Sequence, residues 1–460
     1  MYECVKCGFY SLKPLIRCPK CNSIIHYKHG FKWIINGKYP GIWKFREQLP
    51  RFKIMNSLNE GFTPLIKSSR LSKELGIHNL YFKDEGRNPT GSFRDRVAAL
   101  LTSHAYSLGF KKLICATDGN TGASVAAYSS RLGLRVKAIV PRGSDWGKVI
   151  LMRSFGAEVI EHGESLDDVY SLADKISLEE NLYNATSESN ALSIEALKTI
   201  SYEIYIDLKK VPDYIFVPIG SGLTLYSIFH GFIELLEHGI IERLPRLIGV
   251  ETCWNPKISK AMGLEARLCS MKPVIGLAYK YPPLEREVIQ AIKQTNGFPI
   301  IVDWKNIMFA GELLAKYEGL FVEPAAASAL AGYVKAVREE FVEKDSTSII
   351  LLTGHGLKAI ESYSSGRIKA KGLPKKVFGG DTKLEIIRLL YRVGELHGYS
   401  IWKELGIKIS VQAVYQHLNE LEKRGILISR IVGGKKYYSL SNKGLRIANL
   451  LDELYELLRS

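Results

Sequence analysis

Apolar positions along the first 360 residues alternate between two rhythms. Short β-branched runs at Lys112–Ala116, Val136–Val140, Glu158–Ile160, Tyr214–Pro218, Arg246–Glu251 and Ser348–Thr353 predict buried strands. Longer amphipathic stretches such as Gly122–Leu132 and Leu223–Leu236 predict the helices that follow them. Strand and helix in alternation give an α/β body with mainly parallel sheets. The rhythm breaks from Ser364 to Gly380, where SSGRIKAKGLPKKVFGG has no apolar period and predicts a solvated linker. Beyond it the spacing predicts a helix capped by Asp381, with Leu384, Ile387, Leu390, Tyr391 and Leu396 inward, and a short helix over Tyr399–Leu405. A third helix follows over Val411–Arg424, capped by Ser410 and stopped by Gly425. Its Val414, Leu418 and Leu421 face inward, and Gln412, Tyr415, Gln416 and Asn419 outward. Strands over Ile426–Ile431 and Lys436–Leu440 flank a Gly433-Gly434 turn. A last helix, Ser441–Arg459, carries a stripe of Ile447, Leu451, Leu454 and Leu458.

Composition agrees with a folded, multi-domain chain. The 460 residues are 46% apolar and 24% charged, which excludes collagen-like and wholly disordered proteins. No apolar run approaches the roughly 20 residues of a membrane span, and the first residues lack a signal pattern. The expectation is a cytoplasmic protein with no membrane partner. The net charge of +16 is unevenly placed. Residues 1–60 hold 11 basic and 3 acidic side chains, 61–360 hold 34 of each, and 361–460 hold 18 and 10. A neutral body is thus flanked by two basic ends.

Four of the seven cysteines fall at Cys4, Cys7, Cys18 and Cys21, a Cys-x2-Cys-x10-Cys-x2-Cys pattern. Two tight turns can each aim two thiolates at one tetrahedral ion, and a full set of four with no open position favours a structural zinc. Four ordinary buried cysteines or a redox pair fit the doubled spacing poorly. Cys115, Cys253 and Cys269 stand alone and are expected to be small core residues.

Two glycine-rich junctions follow strands of the body, where open α/β sheets place ligands. Thr117-Asp118-Gly119-Asn120-Thr121 opens one helix, and Gly220-Ser221-Gly222-Leu223-Thr224 opens another. Both can turn backbone N–H groups and hydroxyls toward an anion. Either alone is as well explained by a tight turn. Together with Thr353-Gly-His-Gly-Leu-Lys358 after a third strand, they predict a pocket.

Over roughly residues 1–360 the chain resembles threonine synthases, pyridoxal-phosphate enzymes with the two-lobed tryptophan synthase β-like fold. The likeness rests on Glu60-Gly-Phe-Thr-Pro-Leu65, Lys83-Asp-Glu-Gly-Arg-Asn-Pro-Thr-Gly-Ser-Phe93, Gly119–Ser124, Val217–Thr224, Phe321-Val-Glu-Pro-Ala-Ala326 and Thr353–Lys358. It implies a zinc ribbon over 1–30 and a catalytic-type body over 31–363. It also implies that Asn120 meets the cofactor's ring hydroxyl, Gly220–Thr224 its phosphate and Thr353 its ring nitrogen. One position departs: where the family carries the Schiff-base lysine, this chain has Arg94. A guanidinium stays protonated and has no lone pair for an aldehyde. Lys83, eleven residues away, is too far along the motif to stand in. Asp118, where the family has serine, would repel a substrate carboxylate.

Residues 381–460, after a linker at 364–380, resemble PadR-like winged helix-turn-helix regulators, on the strength of His397–Leu405, Ala413–Leu427 and Lys435–Leu440. That likeness makes Val411–Arg424 a recognition helix, with Ser410, Gln412, Tyr415 and Gln416 toward double-stranded DNA and Lys435 and Lys436 on the wing. The terminal stripe implies a homodimer. With Arg94, these readings lead to the expectation of a ligand-responsive DNA-binding transcription regulator on a body that no longer catalyses. Its effector would be an amino acid, a phosphorylated metabolite or pyridoxal phosphate held without a covalent bond. The alternative expectation is a divergent pyridoxal-phosphate dependent threonine synthase or lyase with an appended DNA-binding domain.

Overall fold

The computed structural model describes the chain apart from residues 29, 267, 272, 344, 365–381, 406–409 and 450–460. It divides into two compact units, Met1–Ser365 and Gly366–Ser460. Most of the predicted linker, the Asp381 cap, and Leu451, Leu454 and Leu458 of the terminal stripe lie outside the described residues. Among the described residues, no helix is long and apolar enough to cross a membrane.

The first unit is built on two sheets. One runs in the order Pro299–Val302, Arg246–Thr252, Tyr214–Pro218, Thr347–Leu352, Asn79–Asp84, Leu65–Lys67. All its pairs are parallel except the last, Leu65–Lys67 with Asn79–Asp84. The other, wholly parallel, runs Glu158–Glu161, Arg135–Val140, Lys112–Ala116, Tyr183–Asn184. Each predicted body strand is present within a residue or two. Tyr214–Pro218 and Thr347–Leu352 are buried along their whole length, which is why they read as continuous apolar runs and not as alternation. The helices Asn120–Ser130 and Leu223–Glu237 leave the ends of two strands in different sheets, so both glycine-rich junctions lie at strand ends.

The N-terminal cysteine segment is a small antiparallel sheet, Tyr10–Ser11, Tyr2–Cys4 and Ile25–Tyr27. Its Tyr2, Cys4, Cys18, Ile24 and Ile25 join the body's own core. Arg17 pairs with Glu287 at 2.5 Å, and His26 Nε2 lies 3.0 Å from the Tyr226 hydroxyl. The segment is therefore packed into the first unit.

The second unit contains the helix Thr382–Val393, the strand Glu395–His397, the helices Gly398–Leu405 and Val411–Lys423, and the hairpin Leu427–Val432 with Lys435–Leu440. Ser410 caps Val411–Lys423 by accepting from Ala413 N, and Gly433 and Gly434 take the positive φ that the tight turn requires. Residues 442–449 are helical. Two expectations fail here. Leu396 sits in a strand paired with Lys435–Leu440, because Gly394 at φ 86 ends the first helix. Tyr391 is partly exposed, not inward, its hydroxyl bonded to Asn449.

Candidate functional site

The cleft between the two sheets of the first unit is lined by Arg94, Asp118 and Asn120 from one side. Gly220, Ser221, Gly222 and Thr224 face them, with Gly276, Glu323 and Thr353 closing the gap. Two residues of this set show why only glycine serves. A Cβ on Gly220 would stand 2.4 Å from the Gly276 carbonyl oxygen, and Gly222 takes a left-handed φ of +88°. The fifteen-residue helix that starts at Leu223 takes no side-chain cap from Gly222; Leu223 N donates to the Ser221 hydroxyl at 3.3 Å, and the next N–H groups of the first turn are placed to meet an anion. The Leu223 side chain is fully buried and faces the core, so only its backbone could face the cleft.

On the facing junction the labour divides. The Thr117 hydroxyl accepts from Gly119 N at 2.9 Å and Gly122 N at 3.1 Å, so it builds the turn. Thr121 lies 3.4 Å from the Ser187 hydroxyl and does not line the cleft. Asn120 gives both bonds of its Nδ2 to Glu323, at 3.1 and 3.0 Å, and leaves its Oδ1 buried with no partner. An orphaned acceptor at such a place calls for a hydroxyl donor. Asp118 accepts from Gly276 N at 2.7 Å, and burial raises its pKa despite nearby Lys148 and Arg94. Its role in the structure is to hold the Gly276 segment over the cleft. Thr353 is buried, and its carbonyl receives Phe93 N at 3.1 Å, next to Arg94.

Arg94 opens the helix Arg94–Ser107. Its Nη2 donates to Glu188 Oε1 at 2.8 Å and its Nη1 to the Ser187 hydroxyl at 2.6 Å. Ser221 also donates to Glu188, at 3.2 Å. Burial works against both charges, but each outweighs it for the other: Arg94 is held above an arginine's ordinary range and Glu188 below a carboxylate's. The guanidinium is locked in its charged form. Lys83 is confirmed as no substitute, because its amine is bonded to the Thr63 carbonyl at 2.6 Å and Glu203 at 2.8 Å.

Sequence reasoning missed Glu188, Glu323 and Lys148. Glu323 stood inside a recognised motif, immediately before the proline that starts the helix Pro324–Arg338, and that placement was a usable signal. The other two carried none. Cys253 and Cys269 were also misread: their Cα atoms are 5.4 Å apart and they form a disulfide. Cys115 is buried as expected.

The Sγ atoms of Cys4, Cys7, Cys18 and Cys21 all lie within 4.8 Å of one another, with contacts of 3.4, 3.5 and 3.6 Å. Four thiolates around a tetrahedral ion with bonds of about 2.3 Å would stand about 3.8 Å apart, so this cluster has the dimensions to hold a metal. In the second unit Gln412 and Gln416 are exposed. Tyr415 packs against Gly398, where a Cβ would come within 2.6 Å of its ring. Lys435 is exposed, whereas Lys436 is paired with Glu422 at 2.7 Å.

The family model described as pyridoxal-phosphate dependent enzyme matches residues 57–354. The chain is 34% identical over 377 residues to the threonine synthase of Methanocaldococcus jannaschii, covering 78% of this chain and 93% of that protein. It is 35% identical over 305 residues to the threonine synthase of a Bacillus strain, covering 66% and 84%. Among solved structures, an O-ureido-L-serine synthase aligns with a TM-score of 0.56 at 20% identity over 67% of this chain and 94% of that one. Maize serine racemase gives 0.55 at 20% over 66% and 91%; these last two show the shared fold. The threonine synthase relatives overturn the expectation of a DNA-binding regulator on a dead body and favour the enzyme alternative. With the cleft, the matched segment and these relatives in agreement, the chain belongs to the family of pyridoxal-phosphate dependent enzymes.

Proposed function

We propose that the chain is a pyridoxal-phosphate dependent enzyme of the threonine synthase type, acting on a phosphorylated amino acid. The observation that carries this reading is the pairing of a glycine cradle at an uncapped helix with the orphaned Oδ1 of Asn120 across the cleft. These residues suit the phosphate and the ring of the cofactor. Backbone N–H groups from Gly220 to Thr224 would hold the phosphate, Asn120 Oδ1 would accept from the ring hydroxyl, and the Thr353 hydroxyl would meet the ring nitrogen. When bound, the cofactor supplies an electron sink for negative charge developing on the substrate. Arg94 does not fit the cofactor's aldehyde, and the reading assigns it a charge-positioning role with Glu188.

The cysteine cluster is read as a structural zinc site. The element order of the second unit is read as a winged helix-turn-helix fold. The test of the enzyme reading is direct: purified protein loaded with pyridoxal phosphate is given O-phosphohomoserine, and threonine and inorganic phosphate are measured. Formation of both supports the reading. Loaded protein that releases neither is the result that refutes it.

A further inference from the structure

We propose that Arg17 and the loop it stands in, between the two cysteine pairs, position the cleft. Metal binding at Cys4, Cys7, Cys18 and Cys21 and anion binding at Gly220–Thr224 are thereby coupled; the proposal rests on the metal-site and cofactor readings above. The ten residues between Cys7 and Cys18 touch the segments behind both sides of the cleft. On one side Ala191 N donates to the Pro14 carbonyl at 2.9 Å, and Leu15 forms an antiparallel bridge with Asn190. Asn190 is two residues from Glu188, which accepts from Arg94 at 2.8 Å and from the Ser221 hydroxyl at 3.2 Å.

On the other side Arg17 grips the start of the helix Glu285–Gln294. Its two terminal nitrogens donate to the two carboxylate oxygens of Glu287 at 2.5 and 2.8 Å, and Nη2 donates also to the Pro283 carbonyl. A planar fork that meets a carboxylate with two bonds fixes direction as well as distance. The residues it holds, Pro283 and Glu287, each directly precede one on which the glycine cradle rests. Leu284 N donates to the Ser221 carbonyl at 3.0 Å, and a Cβ on Gly222 would come within 2.6 Å of Val288 Cγ2. Both routes from the loop therefore end on Ser221, one at its hydroxyl and the other at its carbonyl.

The metal enters through sequence order. Arg17 directly precedes Cys18, a buried member of the cluster, so an ion that fixes Cys18 also fixes the backbone from which Arg17 reaches out. The same ion joins both ends of the ten-residue loop, and closing a loop in this way removes conformational freedom. A ligand that favours the ordered cradle must then favour the metal-bound loop by the same factor, because coupling between two sites is reciprocal.

The experiment uses the full chain, with Zn2+ and inorganic phosphate as probes and pyridoxal phosphate as a second ligand of the cleft. Binding of both phosphates is measured by equilibrium dialysis on zinc-loaded and zinc-stripped protein, and zinc affinity by chelator competition with and without inorganic phosphate. Zinc should strengthen phosphate binding about tenfold, and phosphate should strengthen zinc binding by the same factor. In Arg17→Met zinc should still bind, phosphate should weaken about tenfold even in the loaded protein, and the reciprocal factor should fall to about one. An arginine with a merely structural role would leave that factor unchanged. Glu287→Gln, which keeps the Pro283 bond, should lose part of the coupling. If the stripped chain unfolds, loaded Arg17→Met decides alone, and unchanged phosphate affinity there overturns the proposal. Failure to bind zinc overturns it, as does equal phosphate binding with and without zinc. Where pyridoxal phosphate still binds, both of those results leave the enzyme reading intact. Protein that binds neither phosphate nor pyridoxal phosphate in any state overturns both.

Discussion

The two ends of the cleft have been treated differently by this sequence. At one end Gly220, Gly222 and Asn120 remain as a binding surface whose shape admits almost no substitution. At the other, Arg94 is paired with a buried carboxylate, Glu188. The first end works by what is left out, a Cβ at Gly220 and a partner for Asn120 Oδ1. The second works by what has been put in, an ion pair with 11% and 3% of its side chains exposed. The contrast predicts that the two ends can be broken separately.

The largest effect should come from breaking the rebuilt end. Glu188→Gln keeps the shape but strands the Arg94 guanidinium, and uncoupling a buried pair costs about 3–5 kcal/mol. Urea unfolding should show the loss, and the double variant Glu188→Gln with Arg94→Met should recover much of it. A flat response to the single change would mean that the pair is solvated and the contrast between the ends is false. Next comes Lys358, bonded to the Thr90 carbonyl, where burial pushes the amine down to about 8 from 10.5 despite the nearby carboxylates of Asp95, Glu323 and Asp145, with Lys148 adding to the depression. Between those values the unfolded chain binds the extra proton. Stability should then rise with pH across that interval, by about 3 kcal/mol from this group. Denaturant midpoints measured across the interval should lose this slope in Lys358→Met. At the kept end, Gly220→Ala forces a methyl against Gly276. The overpacking should cost about 1–3 kcal/mol and abolish binding of pyridoxal phosphate by dialysis.

What the sequence disclosed and what it hid follow the same division. Strands such as Tyr214–Pro218 and Thr347–Leu352 were legible because burial on both faces makes an apolar run that needs no partner to be seen. Asn79–Asp84 was not, although it sits inside the larger sheet, because Lys83 and Asp84 interrupt the run, and Lys83 finds its carboxylate, Glu203, only in the fold. The glycine cradle was legible from local spacing. Arg94 was noticed, but its partner lies 94 positions away, and nothing near Glu188 marks it as facing an arginine. Lys148 was hidden more completely, since a single lysine in an amphipathic helix has the look of a solvated face until its neighbours are in place. The Cys253–Cys269 disulfide was missed because a spacing of 16 residues says nothing about where the intervening loop returns.

The smallest expected effect is at Asn120, and it separates the parts of the kept end. Its Nδ2 is used by Glu323, so only Oδ1 is available to a ring hydroxyl. Asn120→Ala should therefore weaken pyridoxal phosphate by about 1 kcal/mol, roughly fivefold, the worth of one hydrogen bond. Inorganic phosphate used as a probe should bind this variant as it binds the wild type, because the proposed phosphate site is the Gly220–Thr224 backbone and not Asn120. Gly220→Ala should lose both ligands. If Asn120→Ala weakened phosphate as much as the whole cofactor, the ring and phosphate subsites would not be distinct. The kept end would then be one anion site, and the orphaned Oδ1 would have no part in holding the ring.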